Sequence, residues 1–340
     1  MTGDYPELIA EIPEPPDELL PNVPQRPAAP QSWNISVAEG KFHWYDLIAG
    51  FPTIPDIRDP VGRYMRRMQF DLEAAMEKRL IYSLVTRPRV RFDTSRSASF
   101  GFFSLKVSLP LLVGPDEKKD SVTVELEVPF AATLKKPNVS LTENFVIFNW
   151  GGHNEALSVH DVLQKFDNSL DFPSTVQYVG QTRDPTHRLA KARLAAVQKL
   201  HQQHSEEHDT LLLIQRMNVE VICDDGDPWE FPVNQNPVAA DLLLKDRMDL
   251  VECAMLRYFE GAEPRARQDR ELNSRRERLI EIGMSNHLRH FRLDLRQPES
   301  NKYHDLASPL APRSRTHVLD CELVDGAIEI TRIPDKAVKS

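Results

Sequence analysis

Hydrophobic residues recur at helical spacing in three segments of the chain. In residues 61–84 one face is formed by apolar residues four positions apart, namely Tyr64, Met68, Leu72, Met76 and Leu80. Residues 239–259 carry a second stripe, which contains Leu243, Leu250, Ala254 and Tyr258. The stretch "SVHDVLQKF" (158–166) is a third, shorter candidate. These three patterns predict helices.

Strict alternation of apolar and polar residues predicts strands elsewhere. The sequences "SLKVSLPLLV" (104–113) and "SVTVELEV" (121–128) each place their apolar residues on one face, and the polar turn "GPDEKKD" between them predicts a hairpin. A second hairpin is expected near the C-terminus, where two alternating runs flank Asp325-Gly326. The apolar runs in 144–150 and 209–227 predict further strands, the latter as one or two buried strands that end in an acidic turn.

The order of these elements predicts an α+β protein with four parts. Residues 1–32 contain eight prolines and are expected to be a disordered, acidic tail. Residues 33–135 are interpreted as an accessory α+β domain, although the aromatic stretch at its start has no pattern that assigns a fold. Residues 136–296 form the predicted second domain, and 297–340 a C-terminal β-hairpin extension.

The charge and cysteine content limit the class of protein. The net charge is −9, of which residues 1–59 contribute −7, so the rest of the chain carries only −2 and a polyanionic partner is not excluded. The three cysteines, Cys223, Cys253 and Cys321, lack CxxC spacing, which favours a reducing compartment without disulfides or a cysteine zinc site. We expect a cytoplasmic protein without a membrane helix, a signal peptide or a transit peptide.

The segment "QYVGQTRDPTHRLAKARL" (177–194) combines a strand end, a turn and a basic helix. Tyr178 and Gly180 lie at the strand end, Asp184-Pro185 forms the turn, and Arg188 lies in the first turn of the helix. Helix N-termini attract anions, and an arginine there adds a bidentate phosphate contact. On these residues alone the segment is either a phosphate site or a buried tyrosine beside an amphipathic basic helix.

The order of residues around this segment resembles the GIY-YIG nuclease family. "YVGQTRDPTHRL" is similar to that family's second tyrosine motif and its catalytic arginine. The family then expects a strand, a helix with a metal-binding glutamate, and an asparagine, for which the chain offers "LLLIQRM", Glu252 and Asn273. The resemblance covers roughly residues 144–275. It implies a GIY-YIG-like small antiparallel sheet flanked by helices.

The resemblance also implies a mechanism, that of a Mg²⁺-dependent DNA endonuclease. Glu252 would hold one Mg²⁺ together with waters, and Arg188 would stabilise charge on the phosphate. Tyr178 would orient or deprotonate the attacking water, and Asn273 would position Glu252 or a phosphate oxygen. The family's first motif, Gly-Ile-Tyr, has no copy in the sequence, and the nearest candidate, "FVIFNW", puts Phe148 at the tyrosine position. The alternative is therefore a catalytically degenerate module that binds nucleic acid or protein.

Basic residues on two segments are the predicted nucleic-acid contacts, with DNA preferred over RNA: Arg183, Lys191, Arg193, Arg275 and Arg276. Residues 264–296 are expected to be a basic helical region, and from Arg257 to Arg296 there are ten arginines and seven acids. That density fits either phosphate binding or a helix surface covered with ion pairs. The acidic, proline-rich tail is a candidate site for a protein partner.

Overall fold

The computed structural model describes residues 31–49, 55–75, 80–101, 104–130, 132–133, 135–166, 170–171, 174–182, 207–223, 237–260, 269–297 and 302–334. For residues 49, 73–75, 182, 223, 237–244 and 269–274 it describes the backbone only. Nearly all of the predicted tail and the predicted basic helix after Thr182 lie outside the described residues.

The strands, in chain order, are β1 (Gln31–Trp44), β2 (Leu80–Pro88), β3 (Val90–Phe92), β4 (Ser99–Phe100), β5 (Lys106–Val113), β6 (Lys118–Glu125), β7 (Asn138–Leu141), β8 (Phe145–Asn149), β9 (Asn154–Ser158), β10 (Ser174–Thr182), β11 (His208–Cys223), β12 (Leu288–Asp294), β13 (Leu306–Ala307), β14 (Val318–Val324) and β15 (Ala327–Ile333). The helices are α1 (Tyr45–Ala49), α2 (Pro60–Ala75), α3 (Val159–Lys165), α4 (Pro237–Glu260) and α5 (Asp269–Ser285). A 3₁₀ turn spans Lys302–His304. The mixed α+β class is confirmed.

One eight-stranded sheet organises the described residues, in the order β13-β10-β2-β11-β1-β12-β14-β15. Neighbouring strands are antiparallel except in the pairs β1–β12 and β10–β13. Its centre is the long pair β1–β11, which runs from Gln31 opposite Cys223 to Trp44 opposite Leu211. The predicted strand in 209–227 is thus one strand of sixteen residues.

Strand β2 is buried on both faces, and this overturns part of the helix predicted over 61–84. The helix α2 ends at Ala75, and Leu80 begins β2. Ile81 and Val85 belong to the core that contains the α4 side chains, whereas Leu80, Tyr82 and Leu84 pack with Tyr64, Met68 and Leu72 of α2. A strand covered on both sides has no alternation, so its apolar run was indistinguishable from the end of the preceding helix.

Two smaller sheets surround this layer. Strands β3, β4 and β6 pair with β5, and the predicted β5–β6 hairpin is confirmed, with Gly114 at φ 73° in its turn. Strands β7, β8 and β9 form the other sheet and lead into α3, which Ser158 and Asp161 begin with a capping box. The predicted β14–β15 hairpin is also confirmed, since Asp325 and Gly326 both have positive φ, as a type I′ turn requires.

The basic region 264–296 is only partly helical. Helix α5 ends at Ser285, and residues 288–294 form β12 between β1 and β14. Leu288, Phe291 and Leu293 are buried there, and the side-chain amide of Asn286 donates to the Ile282 carbonyl at the helix end. The prediction extended the helix because the arginines conceal this short apolar pattern.

The predicted parts of the chain share the eight-stranded sheet. Strands β1 and β2 come from 33–135, β10 to β12 from 136–296, and β13 to β15 from 297–340. The proposed boundaries near 135 and 296 therefore do not separate independent sheets. Within the described ranges, no helix is long and apolar enough to cross a membrane.

Candidate functional site

Two tyrosines meet where β2 and β10 pair in antiparallel register. Gly180 lies opposite Tyr82, and the rings of Tyr82 and Tyr178 have centroids 5.9 Å apart with a 32° angle between their planes. A Cβ placed on Gly180 would lie 2.8 Å from both Cζ and the hydroxyl oxygen of Tyr82. The strand therefore needs glycine at this position, because any larger residue would push the Tyr82 ring away.

Tyr82 ends the tripeptide Leu80-Ile81-Tyr82, which the sequence pattern alone did not identify as a counterpart of Gly-Ile-Tyr. Phe148, the residue expected to replace the first tyrosine, lies instead on β8 in the separate three-stranded sheet, buried in the large core. That interpretation was wrong because it assumed that the two tyrosine motifs are close in sequence. The strand beside β10 comes from before residue 90, with the two smaller sheets between the motifs.

The tyrosine pair lies on the face of the sheet that α2 covers. Tyr82 is buried in a cluster with Tyr64, Met68 and Leu72, and Tyr178 packs against the same cluster while remaining partly exposed. The Tyr64 hydroxyl donates to Ser158 Oγ at 3.2 Å, which ties α2 to the start of α3. Of the two tyrosines, Tyr178 is thus the one with access to solvent.

Alternate residues of β10 point to the other face and hold α4. The Val179 amide donates to Glu260 Oε1 at 3.1 Å, and the Gln181 side-chain amide donates to the carboxylate of Asp249. Glu252 lies one helical turn after Asp249 on α4. The strand that carries Tyr178 therefore also positions the helix that carries Glu252.

Glu252 lines an open cleft of about 460 Å³ between α4 and α5. Arg275 Nη2 lies 3.4 Å from Glu252 Oε1, and Arg275 Nη1 lies 3.7 Å from Cys253 Sγ. Burial raises the pKa of the Cys253 thiol to about 11, so this cysteine is a protonated, unreactive neighbour near neutral pH. Glu252 was predicted as a metal ligand and Arg275 as a nucleic-acid contact, and the structure places the two side chains beside each other.

The same cleft is charged on both sides by ion pairs. Arg278 contacts three acids, namely Asp246, Asp249 through Nε at 3.2 Å, and Glu281. Glu252 and Asp249 are hard oxygen donors one turn apart on α4. In the described ranges, no group of three or more His, Cys, Asp or Glu side chains is arranged to hold a metal ion.

Mg²⁺ keeps several waters and needs only one or two carboxylates as protein ligands. Of the two acids on this side of the cleft, Asp249 is already bonded to Gln181 and Arg278, which leaves Glu252 as the residue that would hold the ion. Arg275 is the competing positive charge, and its contact with Glu252, at 3.4 Å, is long for a charge-assisted hydrogen bond.

The remaining predicted site residues divide into two groups. Outside the described residues lie Arg183, Arg188, Lys191 and Arg193. Asn273 lies on α5, where the structure describes its backbone only. Arg276 Nε donates to the Asp325 carbonyl at 3.0 Å, so this arginine joins α5 to the β14–β15 turn. The structure gives Tyr178 and Glu252 different described neighbours, the α2 cluster and the α4–α5 cleft.

A second polar constellation is completely buried. Asp209 accepts hydrogen bonds from His160 Nε2 at 3.0 Å, from Arg91 Nη1 at 2.7 Å and from the Val90 amide at 2.9 Å. The other ring nitrogen of His160 lies 3.0 Å from the Tyr303 hydroxyl. Asp209, His160 and Tyr303 are buried, and only Arg91 is partly exposed. This row of carboxylate, imidazole and phenol therefore holds three chain segments together and does not face a substrate.

Comparison with protein families, with curated proteins and with solved structures finds no match to this chain.

Proposed function

We propose that the protein is a Mg²⁺-dependent endonuclease of the GIY-YIG type that hydrolyses phosphodiester bonds in DNA. The observation that carries this proposal is the antiparallel pairing of β2 with β10, in which Tyr82 lies opposite Gly180 and its ring contacts the ring of Tyr178. The third strand of the expected order, β11, lies beside β2, and α4 with Glu252 packs on β10. Tyr82 supplies a hydroxyl at the position of the family's first tyrosine, which Phe148 would lack, and this supports catalysis.

The two tyrosines have different roles in this proposal. Tyr178 is partly exposed, so its hydroxyl orients the attacking water. Tyr82 is buried, and its ring fixes the position of Tyr178. Arg188, at the start of the basic segment, stabilises the charge that develops on the phosphate.

Residues of α4 and α5 hold the metal and the substrate. When bound at Glu252, Mg²⁺ would neutralise charge at the scissile phosphate and the leaving oxygen. Arg275 balances the charge of Glu252 and contacts a phosphate oxygen when DNA enters, and Asn273 on the same helix positions Glu252 or the phosphate. The basic residues Arg183, Lys191, Arg193 and Arg276 supply further phosphate contacts.

The proposal is tested by incubating the full chain with supercoiled plasmid, single-stranded DNA or RNA in the presence of Mg²⁺. We expect nicking of the plasmid, and a loss of at least about 100-fold in rate for Glu252→Gln and Arg188→Ala. Tyr178→Phe should lose about 10-fold or more. Glu277→Gln is the matched control, because Glu277 is an exposed carboxylate of the same cleft. If every substrate stays intact, the proposal that the protein is an endonuclease is rejected. If both Glu252→Gln and Arg188→Ala still cleave, the proposed active site is rejected.

A binding module without catalysis is the second candidate, and two observations favour it. Leucine stands at position 80 where the family has glycine, and Glu252 already has Arg275 as a counter-ion. This candidate predicts that nucleic acid binds equally well with Mg²⁺ and with EDTA, and that no substrate is cut. If the acidic tail instead recruits a protein partner, deletion of residues 1–30 should abolish that complex and leave nucleic-acid binding intact.

A further inference from the structure

The solvent face of α2 carries arginines and an aromatic ring. Its apolar stripe is buried against the sheet, but Arg66 and Arg67 are exposed and Phe70 is 53% exposed. The guanidinium of Arg66 lies 4.3 Å from the centroid of the Phe70 ring. This face lies over the sheet surface that carries the tyrosine pair, and no residue of it belongs to the α4–α5 cleft.

Two adjoining hollows flank this face, and Arg67 and Phe70 line both of them. One hollow, of about 410 Å³, is closed on its other side by residues of β1 and α3, including Lys41 and Lys165. The other, of about 570 Å³, is lined by Arg63 and Arg66 and by the loop around Pro129. The ridge between the two hollows therefore presents the Phe70 ring and the Arg67 guanidinium to a ligand that occupies both hollows.

The positive charge of two arginines on this ridge has no ion-pair partner among the described side chains. The guanidinium of Arg66 contacts the Gln69 side chain and the Phe70 ring, and no described carboxylate lies within ion-pair distance of Arg66 or Arg67. Arg63 is fixed differently, because its guanidinium donates to the carbonyls of Ile57, Arg58 and Asn154. A fixed Arg63 beside these two arginines is complementary to a chain of phosphates.

Exposed rings on the same side point to unpaired bases. Phe130 is fully exposed and directly follows Pro129, which lines the second hollow, and Ile57, which also lines this hollow, is 64% exposed. A ring such as Phe70 offers its face to a base only when that base is not stacked inside a duplex, and each stacked base contributes about 1–3 kcal/mol. Alternation of aromatic platforms with arginines is the pattern that single-stranded nucleic acid requires.

We propose that this arginine–aromatic surface, formed by Arg63, Arg66, Arg67, Phe70 and Phe130, binds single-stranded nucleic acid. A base stacks on the face of the Phe70 ring that the Arg66 guanidinium does not cover, and the flanking phosphates contact Arg67 and Arg63. The surface is separate from the proposed cleavage site, so binding here does not require hydrolysis. In a nuclease it would hold an unpaired strand next to the scissile bond.

The test is fluorescence anisotropy of labelled oligothymidylate with the full chain in EDTA, where Mg²⁺-dependent cleavage is off. We expect Arg66→Ala/Arg67→Ala to weaken binding at least about 10-fold and to reduce the slope of log K against log salt by about 1 to 2. Phe70→Ala should weaken binding about 5-fold or more without changing that slope, and Phe70→Trp should restore it. Arg289→Ala and Met284→Ala, at exposed positions elsewhere, are the controls.

Several outcomes would overturn the proposal. One is wild-type affinity in both Phe70→Ala and the double arginine variant, with unfolding midpoints that match the wild type. Another is binding of a blunt duplex as tightly as the single strand. A third uses a synthetic peptide of residues 1–30, because preferential binding of this acidic peptide over oligothymidylate would make the tail the occupant. Since the readout is binding without metal, failure of the cleavage assay leaves this test unaffected.

Discussion

Gly180 lies beneath the ring of Tyr82, and no atom can be added there without a collision. We expect Gly180→Ala to displace that ring and to lower the free energy of unfolding by about 1–3 kcal/mol, because a rigid neighbour has to move. Urea denaturation measures the effect. Gly283→Ala on α5 is the matched control, since a Cβ there meets its nearest atom at 3.4 Å, and helix propensity should make it neutral or stabilising. Equal stability of the two variants would contradict the close contact.

His43 is buried on β1, and burial, followed by the charge of Lys41, lowers its pKa from 6.5 to about 3, against an opposing effect of Asp71. The unfolded chain binds a proton at this histidine below its ordinary pKa, while the folded protein does not. The stability that His43 contributes is therefore complete above pH 6.5 and decreases as the pH falls towards 3. His304, whose pKa burial lowers to about 4, acts in the same direction.

The expected result is a loss of up to about 1.4 kcal/mol of unfolding free energy for each pH unit and each such histidine. His43→Gln should make this decline less steep, as measured by urea denaturation at neutral pH and at mildly acidic pH. His153→Gln, at an exposed histidine, should retain the wild-type slope. Identical slopes for the wild type and His43→Gln would show that this histidine is not held neutral.

At the scale of elements, Arg275 and Arg278 of α5 both contact acids of α4, and Arg278 contacts two of them. Arg278 on α5 contacts Asp246 and Asp249 on α4 and Glu281 on its own helix. Both α4 carboxylates are largely buried, so Arg278→Ala leaves them without their cation, and we expect a loss of about 1–3 kcal/mol. Arg289→Ala, which removes an exposed pair with Glu322, should cost less than about 1 kcal/mol. Thermal unfolding compares the two, and equal losses would contradict the asymmetry.

Elements whose signals are local could be predicted from the sequence. The β14–β15 hairpin follows from Asp325-Gly326, and α3 begins where Ser158 and Asp161 form a capping box. Local signals do not say which distant strands pair. Strand β2 has no alternation of apolar and polar residues because it is buried on both faces. The sequence therefore did not show that this segment is a strand, or that Tyr82 lies opposite Gly180.

The candidate site was likewise predictable only in part. Tyr178 and Glu252 were found because each lies in a recognisable segment, a strand before a turn and an apolar helix. Tyr82 was missed because residues 83–177, with two small sheets, separate it from Tyr178 in the sequence and not in the sheet. The binding surface formed by the arginines of α2 could not be predicted from the sequence, since side-chain exposure and ion pairing are properties of the folded chain.

For the whole molecule, the buried Asp209 network joins segments that are distant in sequence. Asp209 is the second residue of β11, His160 lies on α3, and Tyr303 belongs to the 3₁₀ turn near the C-terminal strands. With the His160 proton on Nε2, Nδ1 accepts from the Tyr303 hydroxyl. Arg87 of β2 adds a fourth segment, because its Nη1 donates to the Tyr303 carbonyl at 3.0 Å. The network thus ties both small-sheet insertions and the C-terminal region to the central sheet.

Asp209→Asn should therefore destabilise the whole molecule by about 3–5 kcal/mol, the usual cost of breaking a buried ion pair. Burial would raise the pKa of Asp209, but the hydrogen bonds from His160 and the Val90 amide and the charge of Arg91 outweigh burial and hold the pKa below its ordinary value. The corresponding stability is present above the ordinary pKa of an aspartate, about 3.9, and is lost as the pH falls through the lowered value. Urea denaturation in acid should show this loss in the wild type and in the control Glu39→Gln, which alters an exposed pair with Arg216. It should be missing from Asp209→Asn, and an unchanged acid profile in that variant would show that Asp209 is not the ionised centre of the network.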